Sequence, residues 1–151
     1  STKYLYLSVF DSLNLDSSLI LVKNAVEGLG AVNHLNNQCI WVASHDRFSD
    51  SFYFFLLKAN AALCCPVRQA IGGNFGNGQL STSLNGTLIR FSPNGSTLVS
   101  LGSESNSIGS ERVDLFKFST ENGKLGNNIK LNEQVVLGCS FSNNSSFLYL
   151  N

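Results

Sequence analysis

The tripeptide His45-Asp46-Arg47 sets an imidazole, a carboxylate and a guanidinium side by side, the ingredients of a general base with an orienting acid. Neighbouring residues on an extended chain point to opposite faces, so direct cooperation between His45 and Asp46 is not expected. The three read instead as polar loop residues available for contact with a ligand. The glycine-rich stretch 72–78 invites comparison with a phosphate-binding loop, but neither a Lys-Ser/Thr pair nor a helical pattern follows it. It reads as a flexible connection in which Asn74, Phe75 and Asn77 can contribute to a binding rim.

Other chemistry is sparse. With only two histidines, no metal cluster can be assembled, and His34, aligned with two phenylalanines of the repeat described below, reads as a packing residue. Asp11, Asn14 and Asp16 alternate like calcium ligands but lack the glycine turn and distal glutamate of an EF-hand loop. Cys39, Cys64, Cys65 and Cys139 are too few and too irregularly spaced for a disulfide framework, and Cys64-Cys65 lacks the gap of a CxxC site. Buried free thiols are expected, with a Cys39–Cys139 bridge possible only where their strands approach closely. No catalytic residue, metal or cofactor is assigned.

Composition narrows the classes further. Hydrophobic residues make up 43% of the 151 and charged ones only 13%, the remainder being rich in the Ser, Asn and Gly of turns. Ten basic residues balance ten acidic ones without a Lys/Arg run, so neither nucleic acid nor an anionic lipid surface is an expected partner. The longest apolar stretches, such as 52–57, fall far short of the roughly 20 residues of a membrane-spanning helix, and no signal peptide opens the chain, so membrane insertion is not expected. The sequence opens on Ser1 and contains no methionine, which reads as a processed or internal segment.

The elements that must position these residues follow from an internal repeat. Residues 89–100 (IRFSPNGSTLVS) match 139–150 (CSFSNNSSFLYL) at a spacing of 50, each reading as apolar strand, polar turn, apolar strand. A more degenerate copy at 32–43 aligns Asn36-Asn37 with Pro93-Asn94 and Trp41 with Leu98. Another apolar strand follows in two repeats, at 113–118 and at 52–57, and then a weaker one. The consecutive Phe52, Tyr53, Phe54 and Phe55 fit a strand buried on both faces. Four short strands in about 50 residues is the pattern of a β-propeller blade. The expected fold is therefore all-β: residues 1–28 as the outer half of a blade, 29–73 and 84–132 as blades, and 133–151 as the inner half of a fourth. Three blades' worth is short of the typical 4–8, so this segment is expected to be an incomplete ring.

The strand-turn-strand of residues 89–98, the strand 113–118 and the turn at Asn122-Gly123 resemble WD40-like propeller repeats related to the YVTN and lactonase-like group, most of all those of Bacteroidetes surface proteins. The resemblance spans nearly the whole chain, with two departures: Asn94 stands where the usual turn has an acid, and the last copy lacks both Pro and Gly. It implies a larger, gliding-motility-associated protein exported by the type IX route, at the cell surface or secreted. The expected role is non-catalytic binding or scaffolding, with a protein or glycan ligand and the remaining blades as partners. Two alternatives are a lactonase-like enzyme, for which Asn33, His34 and Arg90 are the inner-strand candidates, and a fragment that assembles with copies of itself.

Overall fold

The computed structural model describes residues 4–11, 14–58, 66–75, 87–103, 111–131, 136 and 138–151. They form twelve strands in several antiparallel sheets, and no helix occurs among them. Strands β1 (Tyr4–Asp11) and β2 (Asn14–Lys23) make a hairpin. Four strands, β3 (Gly30–Asn33), β4 (Cys39–His45), β5 (Ser51–Lys58) and β6 (Val67–Ala70), form one meander in chain order. A second meander contains β7 (Leu88–Phe91), β8 (Thr97–Ser103), β9 (Glu111–Ser119) and β10 (Lys124–Leu131), and β11 (Cys139–Phe141) pairs with β12 (Leu148–Leu150).

Side-chain alternation makes each meander a double-faced wall. Phe52 and Phe54 on β5, with Trp41 and Ala43 on β4, pack against Ile89, Leu98, Phe116 and Phe118 of the second meander. The intervening Tyr53 and Phe55 turn the other way, onto Leu5, Leu21 and Val22 of the first hairpin. On β8 and β9 the same switch sends Val99, Leu101, Val113 and Leu115 to Phe141, Leu148 and Leu150 of the last hairpin. A period-two strand carrying apolar residues at nearly every position must be buried on both sides, which explains the run of four aromatics at 52–55. The sheets thus stack face to face in chain order, with β3 beside β7, β7 beside β11 and β6 beside β10.

Three hairpins share one turn. The N–H groups of His34, Ser92 and Ser142 donate to the carbonyls of Cys39, Thr97 and Phe147 at 2.9, 2.8 and 3.0 Å. Those of Asn37, Gly95 and Ser145 return to the carbonyls of His34, Ser92 and Ser142 at 2.8 Å each. Asn36, Asn94 and Asn144 each accept, through Oδ1, the backbone N–H two residues on. Asn37, Gly95 and Ser145 adopt φ of 55°, 73° and 62°, a conformation that Gly and Asn tolerate best. The spacing of 50 between the last two copies is therefore kept in the turn hydrogen bonds. The earliest copy is corrected by one residue: His34 matches Ser92, and Trp41 matches Val99 instead of Leu98. The reason is physical, since a one-residue slip would turn Trp41 to the opposite face of its sheet.

Polar contacts lock the two meanders together. Trp41 Nε1 donates to the Thr120 carbonyl at 2.8 Å, and a Cβ on Gly123 would come within 2.7 Å of the indole, so the β9–β10 turn lies directly on that ring. His34 adds a link: its Nδ1 accepts from the Asn36 N–H, which leaves Nε2–H to donate to the Glu121 carbonyl at 3.0 Å. At the outer edge, the Gln69 side chain on β6 accepts from the Leu125 N–H at 2.6 Å and donates to the Leu125 carbonyl at 3.1 Å. The amide stands in for a neighbouring strand. Gln69→Ala is expected to strand both groups of the buried Leu125 and to cost about 1–3 kcal/mol, read as a lower urea midpoint at unchanged slope.

Candidate functional site

The sequence-derived candidates converge at the end of the first meander where β4 finishes, β5 begins and the chain leaves β6. Loop 46–50 is held there from several sides. The Arg47 N–H donates to the Asn24 carbonyl at 2.8 Å, the Asp46 N–H to the Ser51 carbonyl at 2.8 Å, and the Ile71 N–H to the Asp50 carbonyl at 2.9 Å. Asp46 Oδ1 accepts the Phe48 N–H at 2.7 Å, and Asn74 Nδ2 donates to the Phe48 carbonyl at 3.2 Å. The two stretches singled out in the sequence, 45–47 and 74–75, are therefore neighbours. Asn77 lies outside the described residues, as do Cys64, Cys65 and the rest of the glycine-rich stretch beyond residue 75.

His45 is not a solvated loop residue. It is the last residue of β4, shares the inward face with Trp41 and Ala43, and is 0% exposed. Its Nδ1–H donates to the Asp46 carbonyl at 2.6 Å, which leaves Nε2 as a bare acceptor with no hydrogen-bond partner among the described residues. Phe52 meets the ring edge-on at 4.5 Å between centroids, and Phe75 lies 5.0 Å away. Burial lowers its pKa from 6.5 to about 4, against opposing pulls from the Asp46 carbonyl and the carboxylates of Asp46, Asp50 and Asp114. A ring so enclosed stays neutral at ordinary pH and does not meet solvent.

Phe75 is likewise a packing residue and not an open rim group. A Cβ at Gly102 would come within 2.9 Å of its ring and one at Gly73 within 3.1 Å, so the half-buried side chain is wedged between β8 and the start of its own loop. Facing His45 across the sheet interface is the fully buried Asp114, whose carboxylate accepts from Arg112 Nε at 2.6 Å and Nη2 at 3.1 Å. The Arg112 side chain in turn fills the space a Cβ on Gly73 would need. Sequence reasoning missed this pair. Its signal was available, because Arg112 and Asp114 share strand parity with Phe116 and Phe118, which puts two charges on a face otherwise destined for the core.

Phe48 was also missed. It is 50% exposed at the tip of the anchored loop, with the Arg47 guanidinium 5.7 Å from its ring centroid. A lone aromatic inside the polar run 45–51 was the available clue. Elsewhere, Asn33 and Arg90 are exposed on β3 and β7. Both ring nitrogens of His34 are engaged in the turn contacts already described. Among the described residues no group of three or more His, Cys, Asp and Glu is arranged to hold a metal ion. Cys39 and Cys139 carry free thiols, and burial raises that of Cys139 to about 11, so it is not an activated nucleophile.

The chemistry of this end is therefore divided. His45 and the Arg112–Asp114 pair are enclosed between sheets, while the solvent-facing part is a fixed loop carrying a ring, a guanidinium and amide and carboxylate groups. Comparison with protein families, with curated proteins and with solved structures finds no match to the chain.

Proposed function

We propose that the chain is a run of β-propeller blades acting as a non-catalytic binding or scaffold segment of a larger exported cell-surface protein, with a protein or glycan as ligand. Support for blades comes from two four-stranded meanders stacked in chain order and from the threefold recurrence of one turn. The cell-surface location rests on the resemblance to Bacteroidetes propellers alone. The observation that carries the binding role is loop 46–50. Its backbone is tied to Asn24, Ser51, Ile71 and Asn74, yet it holds Phe48 half in water beside Arg47. Rigid aromatic and arginine anchors on a preorganised support are what binding hot spots are made of.

Screening the chain against a glycan array and a displayed peptide library is expected to return a ligand. Combined Phe48→Ser and Arg47→Ala substitution should weaken it by about tenfold or more, at unchanged thermal midpoint. Turnover of sugar lactones or glycosides by the purified chain, abolished by substitutions at Asn33 or Arg90, would overturn this reading in favour of the enzyme.

A further inference from the structure

At the end of β4 opposite loop 46–50 lies the turn that recurs three times, at residues 34–38, 92–96 and 142–146, ahead of β4, β8 and β12. In every copy the central asparagine serves the turn through its oxygen. Asn36 Oδ1 accepts the N–H groups of Gln38 and Cys39 at 2.9 and 3.2 Å. Asn94 Oδ1 accepts the Ser96 N–H at 3.0 Å and the hydroxyls of Ser92 and Ser96 at 2.8 Å each. Asn144 Oδ1 accepts the Ser146 N–H at 3.1 Å and the Ser142 hydroxyl at 2.7 Å.

A carboxylate oxygen would fill that role as well, since Asp and Asn close the same kind of turn through a side-chain acceptor. The amide NH2 is therefore surplus to the fold. All three asparagines are exposed. Among the described residues the NH2 groups of Asn94 and Asn144 have no partner, and that of Asn36 reaches only the Cys39 sulfur, at 3.8 Å.

The three donors are held in fixed relation. The Asn94 N–H donates to Ser145 Oγ at 3.0 Å, which joins the second and third turns directly. The first turn is tied to the second meander, where the Leu35 N–H donates to the Thr120 carbonyl at 3.2 Å. A Cβ on Gly95 would come within 2.8 Å of Thr120 and 2.9 Å of Val32, so the second turn is seated on the same contact. Gln38, Ser96 and Ser146 stand exposed two residues beyond the amides and add further neutral hydrogen-bonding groups.

Charge narrows the ligand. None of the three turns contains Asp, Glu, Lys or Arg, and the adjoining β9–β10 turn adds Glu121 and Lys124, whose charges cancel. An anion finds no cation in these turns, and a peptide finds no aromatic or arginine anchor in them. What they offer is one neutral donor repeated on neighbouring sheets, beside amides and hydroxyls that adapt to a polar partner. A repeated donor suits a repeated acceptor. We propose that this face binds a neutral linear glycan whose successive hydroxyls accept from Asn36, Asn94 and Asn144, at a site separate from loop 46–50.

Isothermal titration of the chain with β-linked gluco-, xylo- and manno-oligosaccharides tests this, with oligogalacturonates as the charged comparison. At least one neutral series is expected to bind, its affinity rising by about tenfold or more from disaccharide to hexasaccharide as further turns are engaged. Asn94→Asp and Asn144→Asp each keep the acceptor that closes the turn and remove the outward donor. Each should weaken the hexasaccharide by about tenfold or more without lowering the thermal midpoint. The combined Phe48→Ser and Arg47→Ala variant should bind it unchanged. Failure of every neutral series, tighter binding of the galacturonates, or an affinity that both asparagine variants leave intact overturns the proposal. Loss of binding in the Phe48 and Arg47 variant alone would move the glycan to loop 46–50, which overturns this surface and leaves the role proposed for that loop standing.

Discussion

Asp114→Ala is expected to destabilise the chain by about 3–5 kcal/mol, a large part of the stability of an ordinary domain. The carboxylate is fully buried and accepts two hydrogen bonds from Arg112, whose side chain is only 15% exposed. Removing the acid takes away the carboxylate that accepts two hydrogen bonds from a guanidinium packed against the Gly72-Gly73 backbone, so the cost of enclosing that charge is less well offset. Arg112→Met alone should cost a similar amount for the converse reason. Replacing both, Arg112→Met with Asp114→Leu, should recover most of the loss, because attraction between buried charges roughly balances their desolvation. The urea midpoints of the three variants test this as a double-mutant cycle. An Asp114→Ala cost below about 1 kcal/mol would show that water reaches the pair in solution.

That pair illustrates what could be read from the residues and what could not. Strand positions were legible because alternation and turn chemistry are local: Ser-Pro-Asn-Gly and Ser-Asn-Asn-Ser announce their hairpins, and four consecutive aromatics announce a strand covered twice. The degenerate copy slipped by one residue because its two asparagines were placed on Pro93-Asn94. The positive φ of Asn37 instead aligns it with Gly95. The site was harder. His45-Asp46-Arg47 looks like a turn, yet β4 continues to residue 45 and strand parity carries the histidine inward with Trp41 and Ala43. Phe75 could not have been placed at all, since its burial depends on Gly73 and on Gly102, a residue of a different strand whose missing Cβ leaves room for the ring. Local pattern locates strands, while long-range partners decide which polar residues stay in water.

Acid should weaken the fold through His45 as the pH falls from about 6.5 to about 4. The group has a pKa near 6.5 in an unfolded chain and about 4 in the folded one, so between those values the unfolded state binds more protons. Stability is therefore complete above about pH 6.5, falls as the pH drops, and has lost its His45 contribution by about pH 4. At about 1.4 kcal/mol per pH unit, that contribution amounts to about 3 kcal/mol. The charges that bear on the ring are Asp46 and Asp50 from its own loop and Asp114 from the opposing sheet, the last already engaged by Arg112. Aromatic contacts with Phe52 and Phe75 offer an imidazolium no acceptor for its second N–H. His45→Phe keeps a ring of similar size and removes the titration, so its stability should vary less between pH 4 and pH 6.5, whatever its value at neutral pH. Denaturation midpoints of both proteins across that range provide the measurement. An unchanged slope in the variant would show that His45 is protonated in the folded chain and that the interface between the two meanders admits water at β4's end.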